Sequence, residues 1–402
     1  MRKLVSVILF FCLFFLGLPA QEKDTLRLQS PFVHTLGGQA ACFPLGGDKL
    51  DQLLATRWHS YWSYEFAYQT SPERDSAYSE SYGYPLVGVG FSYLNNRSLR
   101  YLNNSHFSDF YSLYLHFERP FVRLSRFKLS YMLQFGGAYT KDLYNPFTNP
   151  YNYTVGNHLM VYVGTGLRMD FKISRHFSAG LQAQFFHHSN GKTAMPNGGM
   201  DEVSAGAFLR YSVSEQRFQR MNTGKERLYK KGFQWDLFLI GGVKVFEAEW
   251  LARNETVDDP AQKRSRFQLN PRLGFSADVL YRYAFRNASG LCMDFLYTWG
   301  ANDLRAWEDE IHVEHDYPVS PISVGLGVMH ELRYSNFSIT VCAGVYLFNR
   351  LGWTENPTRF YQKLGVRYYF PKLGNTFVGW GVKAYQLSRA DYMELSLGIR
   401  LG

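Results

Sequence analysis

Apolar and polar side chains alternate with a period of two along most of this chain. Between 127 and 135 one set reads Phe127, Leu129, Tyr131, Leu133 and Phe135, and the interleaved set reads Lys128, Ser130, Met132 and Gln134. Between 161 and 171, Val161, Val163, Leu167, Met169 and Phe171 oppose Tyr162, Gly164, Gly166, Arg168 and Asp170. Successive residues of a strand point to opposite faces, so each segment predicts a strand with one apolar and one polar face. About eight such segments precede residue 214, near 34–42, 59–69, 84–94, 109–118, 127–139, 158–171, 175–189 and 201–213. About eight more lie near 233–247, 267–283, 289–299, 319–332, 336–347, 359–370, 375–388 and 391–401.

The connections alternate in length. Those at 172–174, 285–288, 334–335 and 371–373 are short, whereas 141–157, 248–266 and 300–318 are long. Short periplasmic turns and long outer loops are the pattern of an antiparallel transmembrane β-barrel, in which lipid faces one side of each strand and a polar lumen the other. With the first strand rising from the periplasm, loop 190–200 falls on the outer side. About 16 strands fit either one large barrel or two tandem eight-stranded halves. A faint internal repeat favours halves: Gly180 to Asn190 can be laid on Gly381 to Asp391, and Glu202 to Gly206 on Glu394 to Gly398. In that alignment Ser388 and Ala390 replace His187 and Ser189, so the second copy should be catalytically silent. Segment 215–232, with Arg217, Arg220, Lys225, Arg227, Lys230 and Lys231, reads as a solvated basic connector rather than a nucleic-acid or lipid-binding patch.

Residues 1–20 carry Arg2-Lys3, an apolar core over 4–18 and Pro19-Ala20, the layout of a secretory signal peptide. The expected organisation is therefore a signal peptide over 1–20, a first barrel half over 21–214, the connector over 215–232 and a second half without a catalytic motif over 233–402. No later run approaches the roughly 18 to 20 apolar residues of a spanning helix. Aromatic residues nevertheless reach 17%, with 29 Tyr and 33 Phe, as aromatic girdles require. The net charge of +9 falls to +7 without Arg2 and Lys3, which suits an anionic lipid surface but also many other partners. After Cys12 leaves with the signal, Cys42, Cys292 and Cys342 remain, widely spaced within apolar runs. They read as packed, inert thiols, not a disulfide framework.

The chemistry concentrates in His187-His188-Ser189-Asn190 and, after a short loop, Pro196-Asn197-Gly198-Gly199-Met200-Asp201. Positions two apart share a strand face, so His187 and Ser189 can meet while His188 points away. A serine hydroxyl needs a base to take its proton, and that base needs a carboxylate to fix its tautomer. Asp201 and Glu202 open the next strand. His187 shares its face with Leu181, Ala183 and Phe185, and Asp201 shares one with Val203, Ala205, Ala207 and Leu209. Glu202 shares the other face with Ser204, Gly206 and Arg210, which assigns Asp201 to the site and Glu202 to the lumen. A charged group on the lipid face costs roughly 2–4 kcal/mol at mid-bilayer and about 0–1 near the interface, so the site belongs at the outer rim. Gly191, Gly198 and Gly199 give the loop its tight backbone, and Asn190 or Asn197 could supply donors to a tetrahedral oxyanion.

The spacing from His187 to Asp201 resembles the outer-membrane lipid A 3-O-deacylases of the PagL type (acyloxyacyl hydrolase-like). The likeness extends over 34–213, including Tyr84-Pro85 and Asn149-Pro150. It implies an eight-stranded barrel whose Ser-His-acid triad faces the outer leaflet and hydrolyses an ester-linked acyl chain of lipid A with no metal or other cofactor. Matched by motif, His187 is the base, Ser189 the nucleophile and Asp201 the acid, where the family has Glu. The shorter carboxylate would lengthen the contact to His187, which keeps Glu202 as the fallback acid. The implied partner is lipopolysaccharide of the bacterial outer membrane, not nucleic acid. Two other functions fit the residues: a non-enzymatic pore or scaffold, and an esterase of phospholipid. Separately, Glu308, Asp309, Glu310, His312, Glu314, His315 and Asp316 read as a solvated acidic outer loop, with a Ca²⁺ or Mg²⁺ site as the lesser alternative.

Overall fold

Sixteen antiparallel strands close into two eight-stranded rings in the computed structural model, which describes residues 31–42, 57–71, 77–97, 99, 106–214, 229–314, 316–356, 358–386 and 389–402. The segment 1–20 expected to be a signal peptide, most of the basic connector, His315 and Ser388 lie outside the described residues. The first ring contains β1 (Phe32–Cys42), β2 (Trp58–Gln69), β3 (Leu86–Asn95), β4 (Phe110–Arg123), β5 (Phe127–Thr140), β6 (Leu159–Lys172), β7 (Phe177–Ser189) and β8 (Met200–Ser212). Each strand pairs with its neighbour in sequence, and β1 closes on β8. The second ring contains β9 (Gly232–Lys244), β10 (Asn270–Arg282), β11 (Asn287–Thr298), β12 (Ile322–Tyr334), β13 (Phe337–Asn349), β14 (Phe360–Phe370), β15 (Thr376–Tyr385) and β16 (Arg389–Leu401), with β16 closing on β9. The choice between one large barrel and two is thereby settled in favour of two. The segments aligned in the internal repeat are the seventh and eighth strands of each ring.

Alternation sorts the residues as the pattern predicts. Leu113, Leu159, Leu181, Leu239 and Leu395 stand on the outside, each more than half exposed, among many exposed aromatic residues. The inward faces are polar and buried. In the first lumen Arg168 donates to Glu65 at 2.6 and 2.8 Å and to Glu118 at 3.0 Å, while Arg210 reaches Glu118 at 2.6 Å and also pairs with Asp170. In the second, Arg367 bridges Asp236 at 2.8 Å and Asp278 at 2.7 Å, and Arg400 bridges Asp236 and Glu331. Small barrels are filled by side chains, and these two are filled by ion pairs.

Among the described residues, three α-helices were not anticipated: α1 (Ala77–Ser81), α2 (Glu247–Trp250) and α3 (Ala301–Glu310). The last makes Glu308, Asp309 and Glu310 helical, which corrects the first three positions of the 308–316 segment read as an acidic loop. Glu308 is buried at the end of α3 and accepts from the Thr354 amide and hydroxyl at 2.7 Å each, while Leu304 on the same helix packs with Phe246 and Leu351. Among the described residues no cluster of His, Cys, Asp or Glu is arranged to hold a metal ion. The cysteines are free thiols, and Cys292 and Cys342 are buried, as packed thiols would be. Cys292 on β11 and Cys342 on β13 bring their Sγ atoms to 2.9 Å across Gly327, where a Cβ would stand 2.6 Å from one sulfur and 3.0 Å from the other.

By contacts the chain forms two compact units. Of the described residues, one unit comprises those up to Asp142, His158–His188 and 199–214, and the other comprises Leu143–Asn157, Ser189–Gly198 and those from 229 onward. Two outer loop segments of the first ring's sequence thus pack within the second unit.

Replacing Arg168 with Ala strands the Glu65 and Glu118 carboxylates in the lumen. Loss of about 3–5 kcal/mol is expected, as for a broken buried pair, seen as a lower urea midpoint for the detergent-solubilised barrel.

Candidate active site

Strands β7 and β8 are joined at their outer end by loop 190–199, and their register sets His187 directly opposite Asp201. Cross-strand partners stand about 4.5–5.5 Å apart at Cβ, within reach of a short carboxylate. His187 Nδ1 lies 2.7 Å from Asp201 Oδ1. The Asp in place of Glu therefore does not lengthen this contact. A carboxylate only accepts, so Nδ1 carries the proton and Nε2 keeps its lone pair, the tautomer a general base requires. Both side chains remain accessible, His187 at 33% and Asp201 at 45%. Glu202 is turned inward and fully buried, 3.1 Å from His59 Nε2. His188 is likewise internal, with Nε2 3.1 Å from Ser112 Oγ and its ring against Phe110.

Ser189 ends β7, two residues beyond His187, and is buried, unlike the partly exposed His187. Its hydroxyl donates to Asn197 Oδ1 at 3.1 Å and accepts from the Gly191 amide at 3.1 Å. Asn197 Oδ1 also accepts from the Asn190 backbone amide at 3.1 Å. Asn197 therefore orients the nucleophile through its carbonyl oxygen. The Asn190 side chain is fully buried, and neither its oxygen nor its nitrogen has a hydrogen-bond partner. An unpaired buried amide costs about 1–3 kcal/mol. Such a cost is tolerated where the group has work that the resting structure does not display.

Gly199 adopts a φ of +70°, and a Cβ there would approach His187 Cε1 to 3.0 Å. Both the turn and the space for the imidazole thus call for glycine. Gly198 instead donates its amide to the Tyr153 carbonyl at 2.9 Å, tying its end of the loop to segment Leu143–Asn157. Lys192 was missed by sequence reasoning, and Gly191 was expected only for its backbone freedom, not as a donor. The Gly191 amide is aimed at the nucleophile, and Lys192 is buried with a φ of +67°. Neither carries a sequence signal, because a backbone donor is the same in every residue and a buried lysine looks like an exposed one until its partner is known.

Gly199→Ala should cost about 1–2 kcal/mol from the left-handed backbone alone and push the imidazole off Asp201. The check is unfolding of the purified variant in detergent, together with the histidine Nδ1 proton signal, which should shift or vanish.

Residues 233–402 match the family model described as "Acyloxyacyl hydrolase, C-terminal domain". Among solved structures the chain is similar to the outer membrane enzyme PagL, with 16% identity over 45% of this chain and 99% of that one and a TM-score of 0.28. It is similar to Neisserial surface protein A at 12% identity over 45% and 97%, TM-score 0.29. It is also similar to OccK8 (OprE) of Pseudomonas aeruginosa at 11% identity over 93% and 98%, TM-score 0.23. No curated protein matches the chain.

Proposed function

We propose that this chain is an outer-membrane serine esterase that removes an ester-linked acyl chain from lipid A by 3-O-deacylation, a reading supported by the match of residues 233–402 to the acyloxyacyl hydrolase C-terminal domain model. The observation that carries the reading is the 2.7 Å contact of His187 with Asp201 on the outward face, on the strand that ends in Ser189. The His187 and Asp201 side chains are accessible on that face, at 33% and 45%.

In the proposed reaction the Ser189 hydroxyl turns from Asn197 to His187, and Nε2 takes its proton as Oγ attacks the ester carbonyl. Asp201 stabilises the imidazolium that results. The carbonyl oxygen becomes an anion beside the Gly191 amide, with the unpartnered Asn190 amide as a second donor; one such donor is typically worth about 10²–10³ in rate. His187 then protonates the departing sugar oxygen. The acyl group stays on Ser189 until a water, deprotonated by the same imidazole, releases it as a free hydroxy fatty acid.

A pore fits less well, because both lumens are occupied by buried ion pairs such as Arg168 with Glu65 and Arg400 with Asp236. Phospholipid offers a similar ester at a similar depth and is separated from lipid A by its products.

Mass spectrometry of lipid A from cells producing the wild type should show loss of one hydroxyacyl chain, and Ser189→Ala should abolish it. Unchanged lipid A with a folded wild type, accompanied by free fatty acid from phospholipid, would transfer the activity to that substrate. Asp201→Asn is expected to lower kcat by about 10²–10⁴ through the wrong tautomer, whereas Glu202→Gln should stay within about threefold. The reverse ranking would make Glu202 the acid.

A further inference from the structure

Lys192 is the residue of the nucleophile loop that its own strands do not explain. It is buried, and it holds a left-handed backbone that costs a non-glycine residue about 1–2 kcal/mol. Within the second compact unit its ammonium group meets Glu355 Oε2 at 2.9 Å and lies 3.7 Å from Glu247 Oε2. Glu355, in the loop after β13, is itself buried and is held on three sides. Lys244 reaches Oε2 at 2.6 Å and the Glu247 amide donates to Oε1 at 2.7 Å. Lys244 in turn pairs with Asp391, which accepts from Arg272 at 2.9 Å. Burial alone would raise the Glu355 carboxyl, yet Lys192 and Lys244 bring it down to about 2, so it is an anion throughout the physiological range.

The backbone is held at the same place. The Val245 amide donates to the Lys192 carbonyl at 2.8 Å. Gly191, at a φ of +60°, lies so close to Met393 that a Cβ would stand 2.2 Å from its Cγ. Segment Leu143–Asn157 is fastened alongside: Asn157 donates to Thr193 Oγ1 at 3.3 Å, and Tyr144 packs edge-on to Trp250 at 4.9 Å and accepts from Asn254 at 3.2 Å. A loop whose glycine amide and asparagine carbonyl fix the Ser189 hydroxyl is therefore held at Gly191 and Lys192 by Met393, Glu355 and the Val245 amide of the 233–402 half, and at Thr193 and Gly198 by Asn157 and Tyr153.

We propose that the outer loops of the second barrel are the bed on which the nucleophile loop is set, with Lys192 and Glu355 as positioning residues for Ser189. The motif-free half is then part of the working enzyme. This inference rests on the esterase reading above. It predicts that displacement of the loop spoils the alignment of Oγ without altering the lipid-facing surface. A misplacement on the order of 1 Å can cost about 10²-fold in rate.

The test uses the full-length protein in detergent with lipid A in mixed micelles, with the heat-modifiable gel shift of a folded barrel as the control. Lys192→Met and Glu355→Gln are each expected to lower kcat by about 10²-fold with KM within about threefold. The double variant should be no worse than either single, because the two residues act as one unit. Lys192→Arg, which keeps the charge, should recover most of the rate. A second readout needs no activity: trypsin should cut Glu355→Gln after Lys192 while leaving the wild type intact at that bond. Wild-type kcat in both single variants, alongside an inactive Ser189→Ala, overturns the inference and leaves the esterase standing. Resistance of Glu355→Gln to trypsin at Lys192 also overturns it. Cleavage of Glu355→Gln there, with the wild type intact at that bond but devoid of esterase activity, would sink the esterase and keep the clamp.

Discussion

A strand that faces lipid cannot leave amides unpaired, and a sheet satisfies them all only by closing on itself. Ring closure sets everything else in this protein. It forces the two-residue alternation to resolve into an apolar exterior and a polar lumen. With eight strands the lumen is too narrow for water and must be packed. Arginine and carboxylate side chains pack it here, in networks such as Arg168 with Glu65 and Glu118. Each charge is compensated by a neighbour on another strand, so the networks tie together strands that share no backbone hydrogen bonds.

Closure also decides where chemistry can occur. Once every inward position is committed to the lumen, an accessible base must stand on the outward face near a strand end. His187 and Asp201 do so as directly opposed residues, and their immediate sequence neighbours His188 and Glu202 are consumed by the interior. One step along the chain separates an exposed, orderly imidazole from a buried one. The nucleophile sits where the strand ends, and its geometry depends on a loop instead of on the ladder. The hydrogen bonds of Ser189 to Gly191 and Asn197 are consequently only as firm as that loop. The contacts of Lys192, Gly191 and Gly198 are what make it firm.

Much of this was legible before any coordinates. Strand positions fell within a few residues of those observed; β6, for example, was expected over 158–171 and runs Leu159–Lys172. The face of each residue followed from counting by two, which placed Asp201 beside His187 and Glu202 inside. What failed was local structure outside the ladder. The connection 300–318 looked like an outer loop with a charged stretch over 308–316, yet Ala301–Glu310 is helical and Leu304 and Glu308, four residues apart, turn one of its faces inward. Cys292 and Cys342 looked unrelated, and it took the course of β11, β12 and β13 to bring their sulfurs together over Gly327.

The sequence by itself determined the strands, their faces and the residues that oppose one another across a hairpin, because a period of two is a local rule that short-range pairing preserves. Tertiary structure alone decided that sixteen strands make two rings, since closure depends on which distant edges meet. It alone also decided that Lys192 finds Glu355, 163 residues away. An ion pair of that kind leaves no periodicity behind, and neither partner differs in composition from the many lysines and glutamates that face water.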